Sequence, residues 1–266
     1  TTRLRELVAK AWVVRENVVP DRFRALPLVV SETGLAASPA DPFTDRSEAL
    51  QAAYVGRALT RGLAAGADPV IWYTARDNLW GACDRPYAWL TFGLMRSAEF
   101  AEAMADCTTA YPGEYVVEPP HTARPAWTAL ATAVTLFRGA RFERTLPVRP
   151  ESWAAGRTPR SGDAYGSGAV PPAVEAHAFT IPPRGRLVVA WADSGARLGA
   201  RSHTPGRAGM ALEGFFGSGP IRAVGHLGQE RGVFSASDSL EVGPEPVFLV
   251  GTDPSGPVKR SPRSDS

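Results

Sequence analysis

Glu32 stands in the polar half of a nine-residue run, LPLVVSETG, in which the apolar Leu26 to Val30 lead into Ser31, Glu32, Thr33 and Gly34. An unbroken apolar run suits a strand covered on both faces, as in parallel sheets, and Gly34 is a natural breaker into the following loop. A carboxylate at the carboxyl end of such a strand stands where α/β sheets and α/β barrels place their ligands and catalytic groups. The same residue type there also caps a following helix or pairs with an Arg, and the run by itself leaves both readings open. A second chemical group follows one unit later, in DPVIWYTARDN, which gathers Trp72, Tyr73, Asp77 and Asn78 behind another short apolar strand.

The elements between these groups decide whether they meet. Leu4 to Val19 carries apolar residues at an approximate i, i+3, i+4 spacing and reads as an amphipathic helix ended by Pro20. The loop AASPADPFTD, 36–45, is too rich in Pro and Asp for regular structure. SEALQAAYVGRALTRGLAAG, 47–66, then reads as a strong helix, with Leu50, Ala53, Tyr54, Arg57, Ala58, Arg61 and Ala65 near helical spacing and Gly66 as its stop. Asp68 to Thr74 is the next strand. Strand, helix and strand in this order form a right-handed parallel crossover, so both strand ends emerge on one side and bring Glu32 beside Trp72, Tyr73 and Asp77.

Residues 76–120 form a long irregular segment holding Trp80, Tyr87, Trp89 and Phe92, with a short helix at SAEFAEAMAD, and such segments commonly carry ligand contacts or pack onto the sheet below. ARPAWTALATAVTLFRG is a further helix, opened by Pro125 and stopped by Gly139. From Ala140 the pattern changes. Seven short β-rich runs separated by Gly and Pro, RFERTLPV, VEAHAFTIP, RLVVAWADS, MALEGFF, IRAVGHLG, VFSASDSLEV and PVFLVG, read as an antiparallel β-sandwich. A long loop occupies 151–172, and residues 252–266 read as a disordered tail. The resulting division is an α/β unit over 1–139 and an all-β domain over 140–251.

Composition narrows the function classes. The chain has 266 residues, 44% hydrophobic and 21% charged, the profile of a soluble globular protein. No apolar run approaches the roughly 20 residues of a membrane helix, and no signal peptide opens the sequence. It starts at Thr1 in mid-helix and reads as a fragment or processed product, with any export signal upstream, so localisation, secreted or cytoplasmic, stays undetermined. Lys occurs only at positions 10 and 259, and the many Arg residues are scattered without a basic stripe, which argues against a nucleic-acid partner. Cys83 and Cys107 lack metal-ligand spacing and either pair or remain free thiols. His121, His177, His203 and His226 are dispersed, with the second and fourth read as packing or surface residues. No Ser-His-Asp order and no phosphate-binding glycine loop occurs in its required context. No metal or cofactor is expected.

Taken together, the order and spacing of these segments resemble the carboxyl-terminal part of a retaining glycoside hydrolase of clan A. LPLVVSETG resembles the family's seventh barrel strand, which ends in the nucleophilic glutamate. VIWYTARD resembles the eighth strand and its continuation, ARPAWTALATAV resembles the last barrel helix, and VEAHAFTI, RLVVAWAD, IRAVGHLGQE and EPVFLV resemble the trailing β-sandwich. The resemblance implies an α/β plus all-β chain: the last two βα units of a (β/α)8 barrel followed by an antiparallel β-sandwich. It implies Glu32 as nucleophile, Trp72 as a ring lining the sugar site, a cis bond between Trp72 and Tyr73, and a carbohydrate partner. Asp77 and Asn78 either hydrogen-bond sugar hydroxyls or cap their loop. The acid/base glutamate belongs after the fourth strand and would lie in the missing amino-terminal barrel half, so this chain alone is expected to be inactive. The competing reading is a noncatalytic carbohydrate-binding or structural protein that keeps a barrel remnant.

Overall fold

The computed structural model describes residues 17–24, 26–35, 37, 48–77, 92–96, 122–146, 173–183, 185–193 and 207–252. Asn78, Cys83, Cys107, Trp80, Tyr87, Trp89, His121, His203, most of the first expected helix, the short helix near residue 100 and the loop 151–172 lie outside them. So does the expected tail, except that its first residue, Thr252, ends a strand.

A four-residue helix α1 (Asp21–Arg24) leads to strand β1 (Leu28–Thr33), helix α2 (Glu48–Ala64) and strand β2 (Ala67–Trp72). β1 and β2 pair in parallel, with Val30 opposite Val70 and Thr33 opposite Trp72, as the crossover requires. Helix α3 (Pro125–Phe137) begins with Pro in its first turn, where the missing N–H costs nothing. It is followed by Gly139 at φ 73°, a left-handed conformation that Gly adopts without a Cβ penalty.

Among the described residues eight antiparallel strands follow, where the sequence shows seven runs: β3 (Arg141–Leu146), β4 (Ala173–Ile181), β5 (Gly185–Asp193), β6 (Ala208–Ala211), β7 (Ile221–Gly225), β8 (Glu230–Phe234), β9 (Ser239–Val242) and β10 (Val247–Thr252). The extra strand arises inside VFSASDSLEV. There the Ser235 N–H donates to Asp238 Oδ2 and the Asp238 N–H to the Ser235 carbonyl, a side-chain turn that splits the run between two sheets. Six strands form one sheet in the order β3-β4-β5-β10-β7-β8, and β6 pairs with β9.

Alternation along β5 shows how that sheet is used. Val188, Ala190 and Ala192 enter one core with Ala176, Ala178, Ile221, Ala223, Val247 and Leu249, closed by Met210 of β6 and by Leu240 and Val242 of β9. Leu187, Val189 and Trp191 point the other way and form a second core with Phe179, Phe248, Ala52, Val55 and Leu59 of α2, and Ala126, Ala129 and Ala133 of α3. Side chains on opposite faces of one strand therefore build two different cores, as a period of two dictates. Each fully buried large side chain, such as Trp191 or Phe248, contributes roughly 1.5–3 kcal/mol of transfer free energy.

α2 is pressed on both sides. Against the parallel pair, a Cβ placed on Gly62 would stand 2.5 Å from Val70 Cγ2. Against the antiparallel sheet, Arg61 donates to both carboxylate oxygens of Glu175, through Nε at 2.9 Å and Nη2 at 2.5 Å. The Arg61 guanidinium also lies 5.1 Å from the Trp191 ring centroid. His177 is buried beside this pair, its Nε2 2.9 Å from Glu175 Oε1 and its Nδ1 3.1 Å from Thr145 Oγ1. His226 is buried as well, and burial holds its pKa down. Both histidines that the sequence assigns to packing or surface positions are packing residues.

Two outcomes follow from this packing. Gly62→Ala is expected to destabilise the fold by about 1–3 kcal/mol in urea denaturation, because overpacking against the stiff Val70 outweighs the gain in helix propensity. Burial alone would raise the Glu175 pKa, but the Arg61 and His177 hydrogen bonds bring it from 4.5 down to about 2. Its contribution, up to about 3 kcal/mol, is complete above the unfolded value and is lost as pH falls toward 2. The stability advantage of the parent over Glu175→Gln should accordingly shrink between pH 5 and about 2; an advantage independent of pH would refute the pairing.

Candidate functional site

The ends of β1 and β2 build the site. The ladder continues one step past β2, because the Tyr73 N–H donates to the Thr33 carbonyl at 2.8 Å. Thr33 is buried and Glu32 exposed, and among the described residues no hydrogen bond or ion pair engages the Glu32 carboxylate. Glu32, Trp72 and Tyr73 are thus brought to neighbouring strand ends.

The two faces of the parallel pair differ. Val70 and Trp72 pack toward the second core, and the Trp72 ring lies 6.0 Å from the Tyr54 ring of α2, its Nε1 shut off from solvent. Tyr54 Oη also lies 3.4 Å from Thr33 Oγ1. On the opposite face Val29 and Ile71 remain 46% and 47% exposed. Trp72, expected to line a sugar site, therefore sits on the helix-covered face. Tyr73 follows on the other, partly buried, with its ring 5.9 Å from that of Phe92 in an edge-on contact. The non-proline cis peptide joins Tyr73 to Thr74, one bond beyond the position that the resemblance implies. The ladder bond of Tyr73 keeps the chain extended up to that residue.

Asp77 lies deeper than a loop ligand would. Its side chain is 1% exposed, and its oxygens accept Arg124 Nη1 at 2.6 Å and Nη2 at 2.8 Å, with the Gly93 N–H at 3.0 Å on the first of them. Arg124 also donates Nη1 to the Gly93 carbonyl and Nε to Glu48 at 2.9 Å. Arg96 completes the group, donating to both Glu48 oxygens and to Thr122 Oγ1. Burial alone would lower the Arg124 pKa, but the bonds and charges of Asp77 and Glu48 outweigh it and hold the guanidinium above its usual range.

Tyr54, Glu48, Arg96 and Arg124 do not stand out in the sequence as site residues, and Phe92 does so only as one of the aromatics of the segment 76–120. Arg124 stood next to a signal that was read, the Pro125 helix start. The buried carboxylate of Asp77, five residues past β2, calls for a cationic partner of this kind, since a buried carboxylate is rarely left unpaired.

No family model and no curated protein matches the sequence. Among solved structures, the fold is similar to that of a family 39 glycoside hydrolase from the gut symbiont Bacteroides cellulosilyticus WH2, at a TM-score of 0.54 and 16% identity, over 94% of this chain and 38% of that chain. A family 5 glycoside hydrolase from Bacteroides vulgatus aligns at a TM-score of 0.32 and 14% identity, over 84% of this chain and 40% of that one. The chain spans well under half the length of either enzyme. The mixed, sheet-rich architecture is thus similar to part of a glycoside hydrolase fold.

The Asp77–Arg124 pair generates the outcome specific to this region. Arg124→Met strands a buried carboxylate and should cost about 3–5 kcal/mol in denaturant unfolding. Asp77→Leu combined with Arg124→Met should cost clearly less than the sum of the two single variants, and strict additivity would show that the pair is uncoupled.

Proposed function

We propose that this chain is the carboxyl-terminal portion of a retaining glycosidase, comprising the last two βα units of a (β/α)8 barrel and a trailing antiparallel β-sandwich, with Glu32 as nucleophile. The observation that carries the reading is the asymmetry of the parallel pair. One face is covered by α2, while Val29 and Ile71 lie exposed on the other, next to the strand end that presents Glu32. A parallel sheet is ordinarily covered on both faces, and a barrel encloses such a face as its filled interior. The similarity to a solved glycoside hydrolase over 94% of this chain and only 38% of the other supports the same view at the level of fold. The remaining barrel strands are the partner that this face awaits.

In the assembled barrel the chemistry proceeds in two displacements. A Glu32 oxygen attacks the anomeric carbon, while the departing glycosidic oxygen takes a proton from a second carboxyl group roughly 5–5.5 Å away, supplied by the other part of the barrel. Water, deprotonated by that same group, then attacks the anomeric carbon and frees Glu32, with net retention. Tyr73, on the open face, offers an aromatic surface to the apolar side of the sugar, a role its position suits better than that of Trp72. Asp77 supports the site through Arg124, and Asn78 lies nearby in sequence as a hydrogen-bonding group for sugar hydroxyls. The substrate class is a β-linked glycoside, and the chemistry calls for no cofactor.

The decisive measurement is turnover of aryl β-glycosides by the intact polypeptide and by its Glu32→Gln variant. The variant should fold normally and lose at least about a thousandfold in kcat. Intact protein that hydrolyses the substrate equally well with Gln at position 32 would remove Glu32 from the mechanism.

A further inference from the structure

The buried charges behind β2 make contacts that end at the proposed site, and residues 92–96 carry them. This segment is a rung between two others. The Leu94 and Met95 N–H groups donate to the Thr74 and Ala75 carbonyls at 3.1 and 3.0 Å, and the Asp77 N–H donates to the Met95 carbonyl at 3.2 Å. On its other side the Arg124 N–H donates to the Leu94 carbonyl at 2.8 Å, and the Arg96 N–H to the Thr122 carbonyl at 3.0 Å. Gly93 is held at both polar atoms, its N–H by Asp77 and its carbonyl by Arg124. A Cβ there would meet the Asp77 backbone nitrogen at 2.3 Å, so only Gly permits this closeness.

From Gly93 the contacts run to the strand ends. Gln51 of α2, fully buried, directs Nε2 to the Leu35 carbonyl at 2.8 Å and to the Gly93 carbonyl at 3.5 Å, which ties the turn behind β1 to the same rung. Phe92, next in sequence, sets its ring edge-on against Tyr73. Gly34, two residues after Glu32, fits between them: a Cβ on it would stand 2.4 Å from the Tyr73 carbonyl oxygen and 3.0 Å from Phe92 Cδ1.

The geometry points to a positioning device: the Asp77–Arg124–Glu48–Arg96 cluster, acting through Gly93 and Phe92, sets the Tyr73 ring against the end of β1 and so fixes the distance between Tyr73 and Glu32. This rests on the reading of Glu32 given above. None of the four charged residues touches the substrate in that reading. Arg124 works as a bidentate fork, and Lys, a point charge, does not reproduce two parallel bonds to one carboxylate. Phe92 transmits the position by shape alone.

The test uses the intact polypeptide with 3-fluorotyrosine at position 73 only, in the parent, in Arg124→Lys and in Phe92→Leu. The second variant leaves every ion pair in place and keeps the test open if Arg124→Lys fails to fold. Fluorine NMR and steady-state kinetics are recorded well below the unfolding midpoint of each protein. A device that positions Tyr73 predicts a displaced fluorine resonance in each folded variant and a fall in kcat/KM of about 10- to 100-fold, as a misplacement near 1 Å produces, with the larger share in kcat. A lowered unfolding midpoint with parental resonance and parental kcat/KM would show a purely structural cluster and overturn the inference. A displaced resonance with parental kcat/KM would overturn it as well. Failure of the Glu32 reading shows separately, as a parent without glycosidase turnover or a Glu32→Gln variant with full turnover; the fluorine signal then still decides whether the cluster sets Tyr73.

Discussion

Helix α2 has almost no side of its own, and that constraint governs much of the structure. Eleven residues of this 17-residue helix are buried, among them Gln51, Arg57, Thr60 and Arg61. It lies between the parallel pair and the antiparallel sheet, so its two sides answer to different partners. Close approach is needed on both, which accounts for Gly62 against Val70 and for Gly56, where a Cβ would stand 3.1 Å from Pro246. A Gly inside a helix costs up to about 1 kcal/mol in propensity, and here proximity offsets that cost.

Burying polar side chains all round a helix obliges each to find a partner, and the partners are what join the two sheets. Thr60 Oγ1 turns back on the Gly56 carbonyl at 2.6 Å, a bond internal to the helix. Arg57 reaches the Pro244 carbonyl, and Arg61 reaches Glu175, both across to the antiparallel side. Gln51 serves the other side, at the loop behind β1. Such bonds are modest in net free energy when made and expensive when left unmade, so they specify how α2 is seated more than they strengthen it.

The same constraint explains what the sequence disclosed. The crossover, both helix stops and most antiparallel strands follow from short-range signals: apolar runs, Pro125 ahead of a helix, Gly66 and Gly139 behind two of them. The stripe assigned to α2 was less informative. Leu50, counted in it, is 37% exposed, whereas Gln51 and Thr60, outside it, are fully buried. A helix packed on two sheets has no single apolar face, so periodicity cannot identify its contacts. The position of Glu32 at the end of β1 is legible because a strand end needs only local pattern. The face occupied by Trp72 was not, because register shifts interrupt the β1–β2 pairing and parity along the strand is lost across them. Phe92 is visible only as one aromatic of the segment 76–120 and Arg124 only as the neighbour of Pro125, because their partners lie far away in sequence.

Charge balance bears on how the cluster behind β2 can influence Glu32. Arg96 and Arg124 face Glu48 and Asp77, two positive groups against two negative ones in direct contact. The field of such a compact neutral set falls away faster than that of a single charge, and solvent at the exposed strand end screens what remains. The cluster therefore projects little net field toward the strand ends. What reaches the strand ends is shape: a rung of backbone fixed at Gly93, an aromatic edge at Phe92, and a glycine at position 34 that allows both to close on Tyr73.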